Sequence, residues 1–414
     1  MNNNGTSGRT PVWRDPRAVA LLMAASLTTM ANATISPALP GLERLFADDP
    51  NAAMLTRLLV PAPSLSVAVF APFAGIVADR FGRRSLLLAG VILFAIAGSA
   101  GLFLPDLSTI FASRLALGVA VALIMTAQTA LIGDYFTGDD RSALSGLQIS
   151  ARNFGGLVFI SLAGWVAAIS PRLPFAIYGI AAALLPLMWI VIVDLPRTSR
   201  REARPPENPP EHPAWLLGLT LLVLLQAATN MIFFIMPTQL SFFFEAEGYD
   251  SAVMTGTALG ALTLAGGCSA LLYNRVQRAA GYVAIFALGY GAMAAGFLLL
   301  ASAATAPASF VAAAMIGAGF ALVSPSFVTL VLKLAPVGRR GLAGGVLAAS
   351  VFIGQFCSPL LSTPLVAAYG YEALFSSTAV ILAGMAVAGL LAGCASWLRR
   401  RIKDSHRTPS AVPN

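Results

Sequence analysis

Charge is scarce in this sequence. Only 11% of the 414 residues are Asp, Glu, Lys or Arg, against roughly a quarter in an average soluble domain, and 57% are hydrophobic. So much apolar surface excludes an ordinary soluble fold. Histidine is nearly absent, with His212 and His406 both in polar stretches. The three cysteines, Cys268, Cys357 and Cys394, lie inside apolar runs without metal or disulfide spacing. They read as small core residues, and neither a metal nor a cofactor is expected. There is no Gly-x-x-x-x-Gly-Lys pattern, which argues against an ATP-driven pump. No catalytic constellation is present, so an enzyme is not expected either. Asp and Glu are missing from the interior of every apolar run.

What the sequence has instead is a series of long apolar segments. A helix needs about 20 such residues to cross ~30 Å of hydrocarbon, because in lipid every backbone polar group must be satisfied within the segment. Twelve runs qualify, at about 18–40, 54–78, 85–104, 107–132, 142–169, 174–194, 214–244, 251–273, 279–303, 307–332, 341–367 and 372–398. The expected fold class is all-α, a polytopic membrane protein of twelve transmembrane helices, and these runs are called spans 1 to 12.

Basic residues fix the expected orientation, since Lys and Arg are retained on the cytoplasmic side. All but five of the 26 Lys and Arg fall in the tails and in alternate connections, which places both termini in the cytoplasm of a bacterial-type inner membrane. The exceptions are Arg44, Arg57 and Arg172 on the opposite side, and Arg114 and Arg152 within spans. The formal charge of +8 is thereby a topology signal, and no nucleic-acid partner is expected.

Residues 195–213, rich in Pro, Arg and Glu, read as a cytoplasmic linker between two six-helix bundles, 1–194 and 214–398, with a cytoplasmic tail at 399–414. The halves echo each other at an offset near 198. Arg141 to Gly146 matches Arg339 to Gly344, Asn32 and Pro37 recur as Asn230 and Pro237, and Asp79-Arg80 recurs as Asn274-Arg275. Three matches on corresponding spans point to a duplicated unit, a parallel repeat.

The most specific local pattern is Gly75-Ile-Val-Ala-Asp79-Arg80-Phe-Gly82-Arg83-Arg84, between spans 2 and 3. Here the chain resembles the major facilitator superfamily, whose loop pattern it matches in full, and the twelve-span layout extends the resemblance over almost the whole chain. The resemblance implies two bundles rocking about a midplane site, in a monomer that carries a small-molecule substrate and a coupling proton. It also implies a conformational latch: Asp79 against the N-terminal end of span 11 near 338–341, with Arg80 and Arg83 pairing with acids such as Asp134. In span 4, Arg114-Leu-Ala-Leu-Gly118 resembles a pattern associated with proton coupling in the family, with Leu117 in place of the usual Gln. Gly156, Ile160, Ser161 and Gly164 in span 5 and Gly354 to Pro359 in span 11 resemble parts of bacterial drug-exporter members, although the Gly-Pro pair of the span 5 pattern is missing.

Ionisable groups inside a membrane cost several kcal/mol unless they face protein or water, so Arg114 and Arg152 are candidates for substrate or coupling roles, with structural pairing as the alternative for each. Thr28, Asn32 and Ser36 share one face of span 1, as Gln226 and Asn230 share one face of span 7, and Gln128 and Gln355 add single polar groups. All are candidate cavity residues or interhelical hydrogen-bonding partners. Phe233, Phe234 and Phe242 to Phe244 read as lipid-facing or interfacial, with an apolar cavity wall as the alternative. Among function classes the leading expectation is ion-driven efflux of a small molecule. Uptake of an organic anion is the second, favoured by two intramembrane arginines, and a non-transporting receptor or channel is the third.

Overall fold

A computed structural model describes residues 12–194, 215–302 and 305–405, with the side chains of Asp79, Asp139, Ser142, Val337 and residues 392–405, Cys394 among them, left out. The expected linker therefore lies outside the described residues, as does the tail beyond residue 405. Every regular element described is a helix. Nine helices are long and apolar enough to cross a membrane, and a tenth crossing is made by a pair bent by 52°, Ala52–Leu59 with Ala62–Ala78. Two of the nine are too long for one crossing. Ser251–Ala301 has 51 residues, about 76 Å at ~1.5 Å per residue, and Arg340–Ser405 has 66. Each reverses at a glycine, Gly281 (φ 76°, ψ −179°) and Gly370 (φ 80°, ψ 176°), conformations that side-chain-bearing residues avoid. Divided there, the ten crossings become twelve. Spans 1 to 7 are Pro16–Leu45, 52–81, Arg83–Leu102, Leu107–Tyr135, Gly138–Ile169, Pro174–Val191 and Trp215–Ala246. Spans 8 to 12 are 251–280, 282–301, Ala306–Leu334, 340–369 and 371–405.

The buried side chains form two clusters. One comes from spans 1–6 with Phe234, Phe242 and Ala252 added, and the other from spans 7–12 with Ile160 added. These are two six-helix bundles, and the exchanged residues mark where they touch. Three spans break one turn before a proline, which cannot donate to the carbonyl four residues back. Span 1 stops being helical after Ala33 (Pro37), span 2 after Leu59 (Pro63), and span 7 after Phe233 (Pro237). The Asn32/Pro37 and Asn230/Pro237 echo is thus a repeated helix break with an asparagine just ahead of it.

Two expectations are corrected. Phe242, Phe243 and Phe244 are buried, Phe242 against the first bundle and Phe243 and Phe244 within the second, beside Tyr371, Phe375 and Tyr249, and Phe233 and Phe234 face the interior cavity described below. Cys268 is exposed on the bundle surface, where a small thiol meets lipid as readily as core.

Candidate functional site

A cavity of about 490 Å³ lies between the bundles, lined from spans 1, 4, 5, 7, 8, 10 and 11. It runs from the helix breaks at Asn32 and Pro237 to Leu332 and Gly344 near the arginine-rich ends of spans 10 and 11, so it opens to that side. Asn32, Arg152, Gln226, Asn230 and Gln355 all line it. Phe233 and Phe320, from different spans, stack at 3.8 Å between ring centroids and form an apolar wall continued by Phe352. Gln355 ties the bundles at the cavity's far end: its Oε1 accepts from Ser64 Oγ at 2.6 Å and from Asn32 Nδ2 at 3.4 Å. The Asn230 amide donates to the Gln226 carbonyl at 2.9 Å, and Gln226 Oε1 has no partner. Arg152 Nε, shielded from solvent, is likewise without one.

Arg114 and Gln128 stand elsewhere. Gln128 donates to the Leu21 carbonyl at 2.6 Å, pinning span 4 to span 1. Arg114 is fully buried; Nε donates to the Leu59 carbonyl at 3.2 Å and Nη2 to the Ala31 carbonyl, while the guanidinium lies 4.9 Å from the centre of the Tyr178 ring. The Leu59 carbonyl is the one that Pro63 leaves without a helical donor. Gly118, one turn on, has no room for a Cβ because the Pro63 carbonyl presses against it. The Arg-x-x-x-Gly spacing therefore docks the broken turn of span 2: glycine admits the backbone and arginine satisfies the freed carbonyl.

At the arginine-rich face, Gly82 turns the chain with φ 90° and ψ 152°, and a Cβ there would come within 2.7 Å of Asp194 Oδ2. The backbone N–H groups of Arg83 and Arg84 donate to Asp194 Oδ1 at 3.1 and 2.9 Å, so an acid at the end of span 6 caps the positive end of span 3. Arg83 pairs with Asp134, Arg84 donates to the Trp189 carbonyl at 2.8 Å, and Arg80 lies over the Phe81 ring. These contacts all stay within the first bundle. Around Gly75, and around Gly341 at the start of span 11, there is open space. The Asp79 side chain lies outside the described residues. Asp194 was not foreseen; its only sequence signal is an acid closing span 6 immediately before an arginine run.

The opposite face is closed by contacts between bundles. Arg57 pairs with Glu43 at 2.8 Å and lies 3.7 Å from the centroid of the Phe242 ring of the second bundle. Arg44 meets Glu245 of span 7 at 3.4 Å, and Arg172 donates to the Gly101, Leu102 and Leu104 carbonyls. Each of the three arginines on this face thus has a structural partner. Nearby, spans 5 and 8 cross at Gly164 and Gly256, where a Cβ on either would lie under 3 Å from the other's Cα. Among the described residues no cluster of His, Cys, Asp or Glu is suited to a metal.

The comparisons with known proteins agree with this architecture. The family model for the Major Facilitator Superfamily matches residues 21–345. The tetracycline resistance protein, class C, of Escherichia coli is 26% identical over 392 residues, covering 92% of this chain and 96% of that protein. Multidrug resistance protein 1 of Bacillus subtilis (strain 168) is 24% identical over 320 residues, 73% and 78% of the two chains. A crystal structure of a D-xylose-proton symporter superposes with a TM-score of 0.70 at 17% identity, over 89% of this chain and 96% of that one. With that match over most of its length, a twelve-span two-bundle fold and a cavity between the bundles, the chain belongs to the major facilitator superfamily.

Proposed function

We propose that this transporter exports small, largely apolar molecules from the cytoplasm across the inner membrane by alternating access, in exchange for protons. The observation that carries this reading is the cavity itself, open on the arginine-rich side and sealed on the other by contacts between bundles. Arginine distribution supports a cytoplasmic open side, with both termini there, and in that orientation the geometry is that of a carrier ready to load from inside. Resemblance in sequence to resistance proteins supports the outward direction. The second, importing reading has no comparable support.

Among the described residues no carboxylate lines the cavity, and we assign the proton to one outside it. Glu43 is the candidate. Its Oε2 holds Arg57 and lies 3.4 Å from Thr56 Oγ1, and Arg57 in turn bears on Phe242 and lies beside Tyr371 of the second bundle. The neighbouring charges are Arg44 and Glu245. A proton arriving from outside on Glu43 removes the charge that anchors Arg57, freeing one of the contacts that seal the outer face. In everted membrane vesicles, Glu43→Gln is expected to reduce proton-gradient-driven accumulation of a carried dye to the gradient-free level, while exchange of dye without a gradient persists. Gradient-driven accumulation at the wild-type rate would remove Glu43 from the coupling step.

A further inference from the structure

Among the described residues the cavity lining holds one cation and no counter-charge. Arg152 is the sole ionisable residue on its lining, and the four ion pairs among the described residues all use other arginines. Arg152 is half-buried, with Nε shielded and unpartnered; an arginine does not give up its proton in proteins and shielding an unpaired charge is costly, so this guanidinium is poised for a ligand rather than satisfied by the fold. Its setting differs from that of Arg114, the other intramembrane arginine, whose Nε and Nη2 donate to backbone carbonyls although Nη1 has no partner; among the described residues Arg152 makes no hydrogen bond or ion pair, and it lines the cavity. The remaining polar lining is neutral. Gln355, with its carbonyl oxygen already taken by Ser64 and Asn32, presents its amide N–H groups, so Arg152 and Gln355 both offer donors. Beyond them the wall is aromatic: the stacked Phe233 and Phe320, with Phe352.

Resting on the transport reading above, we propose that the carried molecule is an amphiphilic organic anion, its carboxylate or sulfonate oxygens held by the Arg152 fork and its apolar body laid against the phenylalanine wall. A bidentate guanidinium–carboxylate contact recognises such a group by geometry as well as charge. The absence of acids on the lining serves the same end, because any carboxylate there would compete for Arg152 and repel the ligand.

The test uses three forms of one fluorophore: dansylglycine (anionic), dansylamide (neutral) and dansylcholine (cationic). Binding to the purified full-length protein is read by dansyl fluorescence, and uptake into everted vesicles is read separately. The wild type is expected to bind and accumulate dansylglycine in preference to the other two. Arg152→Gln is expected to weaken dansylglycine binding by about 10- to 100-fold, the usual worth of a hydrogen-bonded charge, and to leave dansylamide unchanged. Arg152→Lys, which keeps the charge but loses the planar fork, is expected to fall between. Preference for dansylcholine, or dansylglycine binding unchanged in either variant, overturns the anion site while leaving export intact. If Arg152→Gln fails to insert while Arg152→Lys binds dansylglycine as the wild type does, Arg152 is structural and the proposal is wrong. Should vesicles accumulate none of the three, the transport reading itself fails, and the anion site with it.

Discussion

Arg114→Ala is expected to cost about 3 to 5 kcal/mol of stability, since it leaves the buried Leu59 carbonyl without a donor and the Ala31 carbonyl with only a 3.4 Å contact from the Tyr178 hydroxyl, at roughly 1 to 3 kcal/mol for an unsatisfied group, and opens a void beside Tyr178. Against a total stability on the order of 5 to 15 kcal/mol for a folded domain, that loss should appear as poor accumulation in the membrane and a large drop in the thermal unfolding midpoint of the purified protein. Arg114→Lys keeps a charge but has no fork with which to reach both carbonyls, so it should recover only part of the loss. The experiment separates two roles. The family resemblance associates this arginine with proton coupling, whereas its contacts make it the clamp of a broken helix. A variant that unfolds at the wild-type temperature yet cannot couple transport to protons would favour the former and contradict the clamp.

The second large effect is expected at the crossing of spans 5 and 8. A Cβ on Gly256 would stand 2.7 Å from the Gly164 Cα and 3.2 Å from the Ile160 carbonyl oxygen. These are backbone atoms that cannot turn aside, and small residues at such crossings are what let helices approach so closely. Gly256→Leu therefore overpacks the outer contact between bundles, at roughly 1 to 3 kcal/mol, which shifts the balance between the two faces by about 5- to 150-fold. Neither bundle's own core is touched, so the protein should still insert and accumulate. Transport should fall steeply, and cysteines placed at the outer face should become reactive to impermeant thiol reagents. Gly256→Ala should have the same effect in weaker form. Normal transport by the leucine variant would show that spans 5 and 8 do not need to close this tightly.

Much of the fold was legible because lipid imposes a simple rule, a long apolar run per crossing. The proline breaks at Pro37 and Pro237 were visible as an internal echo. Pro63, which has no counterpart in that echo, was not, and its freed carbonyl explains Arg114. The cavity was partly legible for a related reason. Asn32, Gln226 and Asn230 sit at four-residue spacings that fix a helix face, and that face does point inward. Gln128 and Arg114 looked equivalent to them in the sequence, because nothing there distinguishes a polar side chain facing a cavity from one bonded to a backbone carbonyl on another span. The phenylalanines of span 7 were misread for the opposite reason: an apolar side chain suits lipid and a bundle interface equally, and only the break at Phe233 turns Phe242 onto Arg57. Asp194 acts through Gly82, more than a hundred residues away in sequence, a pairing that no local spacing encodes.

The central claim is that one cavity is exposed alternately to the two sides, and it is tested most directly by two distances in one protein. Spin-label pairs at Asp48 and Glu247 would report the sealed ends of the bundles, and pairs at Ser145 and Leu342 the arginine-rich ends, in a background without native cysteines. In the wild type the first pair should be close and the second far apart, as the sealed face and the open cavity require. In Gly256→Leu a second population should appear in which the first distance lengthens and the second shortens together. Distances that stay fixed, or that lengthen at both ends, would contradict alternating access in this chain.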